Sequence, residues 1–253
     1  MDKGIWKLGL ANLGHAPEAE RFIMMMLLLW DIDGTLIDSG GAGERALRFA
    51  MEREFGLTED LGWLELAGRT DRWIATQILA RYGLETTDKN IRRFLDAYLA
   101  TVGEEMANPR ARVLPGVRAA LDAVSQRKDV AQALLTGNLQ IGAKIKLSHF
   151  DLWKYFPFGA FADDSDLRNE LGPHALRRAA DHHKIPFLPE RVIVIGDTPH
   201  DIACGKAIGA KTLAVATGRF SPAALEPFSP DIVLQSLEDT NAFLESIDRV
   251  CRR

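Results

Sequence analysis

Two aspartates, Asp31 and Asp33, stand two positions apart where an apolar run from Phe22 to Trp30 ends. On an extended segment, side chains at i and i+2 share a face, so the pair sets two like charges side by side. Such a pair serves a cation, a proton transfer or a nucleophilic attack, or else it is an N-cap or turn pair. Three more polar clusters each follow a short apolar run: LLTGN (residues 134–138), ADDSDLRNE (162–170) and VIGDTPHD (194–201). Their residue types are carboxylate, hydroxyl, amide and guanidinium, together with the glycines that let backbone approach a ligand closely.

The intervening sequence says how these clusters are positioned. The run into Asp31, with Leu27 to Trp30 as its strand, and the runs Val130 to Leu135, Phe158 to Ala162, Val192 to Ile195 and Thr212 to Ala216 predict strands covered on both faces. Between them, Val117, Ala120, Leu121 and Val124 repeat at helical spacing, as do Ala175, Leu176, Ala179 and Ala180. DTPHDIACGKAIGA opens on Pro199 and closes on Gly209, a helix start and stop. Alternating strands and helices imply an α/β fold with a mostly parallel sheet. Ligands of such sheets gather outside the carboxyl ends of the strands, so the four clusters converge. Residues 39–112 break the alternation, with helical stretches such as ERALRFAMEREF and DRWIATQILARYG and no strand pattern. They predict an all-helical subdomain, with hinges at Gly40, Gly41 and Gly43 and at Pro115-Gly116.

DxDGT, a strand-terminal TGN and GDTPHDI, in that order, resemble the haloacid dehalogenase superfamily in its phosphatase branch, with a helical cap inserted after the first motif. The resemblance covers the chain from Met24 onward. It implies a Rossmann-like core (residues 24–38 and 113–253), a helical cap (39–112), and hydrolysis of a small phosphorylated metabolite. Asp31 matches the family's nucleophile and Asp33 its general acid and base. Two carboxylates facing one phosphate call for a cation, and Mg²⁺ prefers oxygen ligands. The ligands the resemblance implies are Asp31, the backbone carbonyl of Asp33, and Asp197, with Asp201 completing the shell or holding a metal-bound water. Thr136 is expected to offer its hydroxyl to phosphoryl oxygens, with Gly137 and Asn138 beside it. The family's Lys-Pro pair before the last motif is absent. Arg168 is the candidate for its positive charge, with Arg177, Arg178 and Lys184 as alternatives that read as solvated helix charges. Arg69, in the loop LAGRTDRW with Thr70 or Asp71 as N-cap, is a candidate contact for an anionic substrate group. A phosphomutase shares these core motifs, and a non-catalytic phosphate-binding member is the reading from another class. A dehalogenase has little use for Asp33.

A formal net charge of −4 gives no basic footprint for nucleic acid, and the longest apolar run is too short for a membrane span. Cys204 and Cys251 form no CxxC and suit reduced thiols, so a cytoplasmic protein is expected. Residues 1–23 lack periodicity and precede Met24 to Met26, which predicts an upstream extension before a native start near those methionines. GGAG lacks the Gly-Lys-Ser/Thr of a P-loop. His182-His183 reads as a surface helix end, His200 as helix-start surface, and Trp153 and Phe156 as core.

Overall fold

The computed structural model describes residues 25–251. The expected extension (1–23) and the start at Met24 lie outside these residues. In chain order the strands are β1 (Met26–Trp30), β2 (Ile37–Asp38), β3 (Arg112–Val113), β4 (Val130–Leu135), β5 (Gly159–Ala160), β6 (Val192–Gly196), β7 (Lys211–Val215) and β8 (Ile232–Leu234). The helices are α1 (Ala42–Phe55), α2 (Asp71–Arg81), α3 (Asp88–Met106), α4 (Val117–Ser125), α5 (Gln140–His149), α6 (Leu171–His183), α7 (Pro199–Ala207), α8 (Pro222–Leu225) and α9 (Thr240–Cys251).

β1 lies between β4 and β6 in a parallel six-stranded sheet of order β5-β4-β1-β6-β7-β8. Both faces of this strand are covered, which explains why its sequence is apolar throughout rather than alternating. Leu28 and Trp30 pack with Leu121 of α4 and with Phe243 and Ile247 of α9. Leu27 and Leu29 face the other way, onto Ala175 and Ala179 of α6 and Cys204 of α7. Trp153 and Phe156 join the first of these clusters, as the sequence predicts. The six parallel strands with flanking helices make a Rossmann-like α/β fold. Among the described residues no helix is long and apolar enough to cross a membrane.

The strand expected at Phe158 to Ala162 shrinks to two residues, and the one expected at Thr212 to Ala216 shifts by one position to β7. β8 was not expected. It is a three-residue edge strand in which only Ile232 is buried, so its pattern is too short to stand out. The expectation of no strand within 39–112 fails at its last residue. Arg112 pairs with Asp38 and Val113 with Ile37 in a short antiparallel ribbon, β2–β3, that the Arg112–Asp38 ion pair (2.8 Å) reinforces.

Helices α1 to α3 bury an apolar cluster of their own around Met51, Ile78, Leu79 and Phe94, joined by Leu139 and Ala162 from the sheet's edge. Thr70 caps α2 by accepting from the Trp73 N–H (3.1 Å), which settles the choice between Thr70 and Asp71. At Pro115-Gly116 the chain passes close against the loop before α9. Gly116 has φ 78°, and a Cβ there would lie 2.0 Å from the Leu237 carbonyl oxygen.

Candidate active site

The clusters meet at the carboxyl edge of the sheet. Asp31 follows β1, Thr136 follows β4, Asp197 follows β6, and Arg168 opens a 3₁₀ turn before α6. A cavity of about 490 Å³ lies between this edge and the helical unit, and Asp31, Asp33, Asn138, Lys146, Arg168 and Asp197 line it.

One side of the cavity is a carboxylate cluster. Asp31, Asp197 and Asp201 are buried and bring ligand oxygens within 4.8 Å of one another. Asp201 is the third residue of α7. Its Oδ2 accepts from the Thr198 N–H (3.0 Å) and hydroxyl (2.7 Å), completing a capping box. Asp197 and Asp201 are four residues apart but do not share a helix. Asp197 sits at the strand end before an extended Thr198, and the chain's turn at that cap brings the two carboxylates together. Arg168, 9% exposed, donates from Nη2 to Asp31 Oδ1 (2.9 Å) and also to Asp201 Oδ1. The alternatives point elsewhere: Arg177 pairs with His174, Arg178 with Asp164, and Lys184 ends α6 in the left-handed region.

Burial pushes the Asp31 carboxyl up to about 6, against the pull of Arg168. Asp197 stands well above the usual carboxylate range, because of burial and then the charges of Asp201 and Asp31. Arg168 supplies one positive charge to three carboxylates. The all-oxygen donor set and the net negative charge fit a hard divalent cation. Gly34 makes this approach possible. At φ 84° it lets the loop run so close that a Cβ would fall 2.4 Å from Asp197 Oδ2. Thr35 donates its hydroxyl to Asp197 Oδ1 (3.3 Å).

Asp33 lies on the other side, apart from that cluster. Its Oδ2 accepts from Asn138 Nδ2 (2.9 Å) and Lys146 Nζ (2.6 Å), and Lys146 also donates to Asn138 Oδ1 (2.6 Å). Thr136 is fully buried and is not among the cavity's lining residues. Its oxygen accepts from the Asn138 backbone N–H (3.3 Å) and Nδ2 (3.0 Å). Gly137 is pressed by protein, since a Cβ there would lie 2.1 Å from the Arg69 carbonyl oxygen.

Sequence reasoning missed Lys146 and Asp71. A signal for Lys146 existed: it falls on the stripe Leu139, Ala143, Lys146 and Leu147, a charge where the helix should be apolar. Burial works to lower its ammonium, but Asp33, Tyr98 and Asp71 outweigh that and hold it above its ordinary value. Asp71 is buried at the seam with the helical unit, where Oδ2 accepts from the Leu139 N–H (2.7 Å) and burial raises it to about 6. Arg69 reaches the cavity, but its guanidinium pairs with Glu65 (2.8 Å) and lies 4.4 Å over the Trp73 ring. His200 is not simple surface. It is half-buried beside Gly68, with Nε2 3.5 Å from Glu65. His182 and His183 end α6, stacked edge-on to each other.

The family model of haloacid dehalogenase-like hydrolases matches residues 28–206. Phosphoglycolate phosphatase of Escherichia coli (strain K12) is 25% identical over 232 residues, 83% of this chain and 88% of that protein. Among solved structures, one from Bacteroides vulgatus, provisionally described as a β-phosphoglucomutase, superposes with a TM-score of 0.67 at 23% identity, covering 91% of this chain and 92% of that one. CbbY from Rhodobacter sphaeroides, in complex with phosphate, gives 0.65 at 18% identity, covering 85% and 96%. At these identities the structural likeness speaks for the fold.

Proposed function

The chain belongs to the haloacid dehalogenase-like hydrolase family, and we propose that it is a Mg²⁺-dependent phosphatase acting on a small phosphate monoester through an aspartyl-phosphate on Asp31. The observation that carries this reading is the division of the cavity. A buried carboxylate cluster with Arg168 lies on one side, and Asp33, held apart by Lys146 and Asn138, on the other. The relatedness to phosphoglycolate phosphatase supports the choice of phosphate esters.

In this reading Asp31, the Asp33 carbonyl and Asp197, with Asp201 behind them, would hold Mg²⁺, which would supply the positive charge that lets these carboxylates face phosphoryl oxygens. Arg168 keeps Asp31 oriented and adds fixed positive charge where negative charge gathers. Asp31 forms a bond to phosphorus as the ester P–O bond breaks, and Asp33 gives its proton to the departing oxygen. Asp33, now a carboxylate, takes a proton from water. That water attacks phosphorus, the Asp31–phosphorus bond breaks, and inorganic phosphate and the free carboxylate result. Thr136 already accepts two N–H groups, so its own O–H is left to donate to a phosphoryl oxygen once substrate binding opens its buried position to the cavity. Gly137 and Asn138 border that position. Residues 39–112 act as a cap over a core of 24–38 and 113–253, and Arg69 in its loop meets an anionic part of the substrate.

A panel of phosphate esters with Mg²⁺ tests the proposal, including phosphoglycolate, sugar phosphates and nucleotides. Inorganic phosphate appearing in step with substrate loss supports it. A phosphorylated isomer without free phosphate would make the chain a phosphomutase. No turnover of any ester would leave a binding protein.

A further inference from the structure

Lys146 stands outside every motif that the proposed chemistry uses. It is 4% exposed and lies on the face of α5 that carries Ala143 and Leu147. A buried ammonium is costly unless its N–H groups find acceptors, and here the acceptors are specific. Nζ donates to Asp33 Oδ2 and to Asn138 Oδ1, each at 2.6 Å, and the Tyr98 hydroxyl acts on its charge. Asn138 commits both ends of its amide to the same network, because Nδ2 donates to Asp33 Oδ2 (2.9 Å) and to Thr136 (3.0 Å).

Asp33 is thus pinned through one oxygen by two donors. Among the described residues its Oδ1 has no hydrogen-bond partner, so that oxygen is left to exchange a proton with a substrate. The nucleophile's side has its own cation, since Arg168 bonds Asp31 and Asp201 while Lys146 bonds Asp33. Two residues of the helical unit border the seat of Lys146: Tyr98 from α3, and Asp71 from α2, whose carboxylate is anchored on the Leu139 N–H; both line the cavity with Lys146, and each lies 3.9 Å from where a Cβ on Gly142, one turn before Lys146, would stand.

We propose that Lys146 is a positioning residue that holds Asp33 at the geometry of proton transfer, with Tyr98 and Asp71 of the helical unit bordering its seat. The inference rests on the phosphatase reading of Asp31 and Asp33. Its consequence depends on the leaving group. An alkoxide needs the proton of Asp33 to depart, whereas p-nitrophenolate departs without one, so loosening Asp33 slows only the first kind of ester in the phosphoryl-transfer step.

The test is single-turnover release of the leaving group, with enzyme in excess and Mg²⁺ present, from an alkyl phosphate and from p-nitrophenyl phosphate. Lys146→Met is expected to lose about 100-fold on the alkyl ester, the order of loss for a misplaced catalytic group. On the aryl ester it is expected to lose less than about 3-fold, with KM for the alkyl ester changed by less than about 3-fold. Lys146→Gln, which keeps the seat filled and a hydrogen bond in place, is expected to show the same split at smaller amplitude. It serves as the test if the methionine variant does not fold. Equal losses on both esters would overturn the proposal and make Lys146 a structural residue. So would a raised KM with an unchanged rate, which would place Lys146 on the phosphoryl group. Wild-type protein that releases no phosphate from either ester would remove the phosphatase reading, and this inference with it.

Discussion

Replacing Asp71 by Asn is expected to stabilise the folded protein at neutral pH, and the gain can be worked from its surroundings. Asp71 is 7% exposed, and its carboxyl is raised from 3.8 to about 6, with burial as the largest cause and Lys146 opposing it. In the unfolded chain the group ionises near its ordinary value. Between about pH 4 and 6 the folded state therefore holds a proton that the unfolded chain has lost. The contribution of Asp71 to stability is intact below about pH 4 and is lost as pH rises through about 6. A shift of this size corresponds to roughly 3 kcal/mol at pH 8. Asn keeps the shape and an oxygen to accept from the Leu139 N–H, and it cannot ionise. Urea unfolding of wild type and Asp71→Asn at pH 8, 6 and 5 measures the difference. The variant is expected to be more stable by about 2–3 kcal/mol at pH 8, with the gap narrowing towards acid. A variant less stable than wild type at pH 8 would refute the reasoning, because the attraction of ionised Asp71 for Lys146 would then exceed the cost of its burial.

Arg168→Met removes the cation shared by Asp31 and Asp201 and is expected to lower kcat by about 10²–10³-fold, as loss of one preorganised electrostatic group does; near-normal steady-state rates would move the role elsewhere. Gly34→Ala forces a Cβ to 2.4 Å from Asp197 at φ 84°, so activity is expected to fall and the Mg²⁺ concentration for half-maximal rate to rise; an unchanged Mg²⁺ titration would contradict that. Thr70→Ala removes the cap of α2 and the bond from its hydroxyl to the Asp166 carbonyl (2.6 Å), for a loss of about 1 kcal/mol in chemical unfolding. Arg69→Ala is expected to raise KM for substrates with a second anionic group; unchanged values across an ester panel would assign Arg69 to its pairing with Glu65 alone.

The sequence carried the sheet because its strands are apolar on both faces, so β1 and β4 appear as uninterrupted runs between polar strand ends. It failed where a strand is brief or marginal: β8 at the sheet's edge, and the ribbon of Asp38 and Arg112 that ties the helical unit to the sheet. The motif residues Asp31, Asp33, Asn138, Arg168 and Asp197 all reach one cavity, since each follows a parallel strand or opens the turn before α6. Lys146 and Asp71 were harder to see. Neither belongs to a motif, and each matters through a partner far away in the chain, Lys146 through Asp33 and Asp71 through Leu139. A charge on the buried stripe of α5 was the one local sign. Periodicity alone shows that such a residue is out of place without showing what it meets.

Every later step depends on the attack of Asp31 on phosphorus with the help of a bound divalent cation. Phosphate release by wild type and by Asp31→Asn, each with Mg²⁺ and with a chelator in its place, tests it most directly. Asn preserves the shape of the side chain and its contact with Arg168 but is a far poorer nucleophile. Turnover is expected only for wild type with Mg²⁺. An Asp31→Asn protein with near wild-type turnover, or a wild type indifferent to the chelator, would contradict the account.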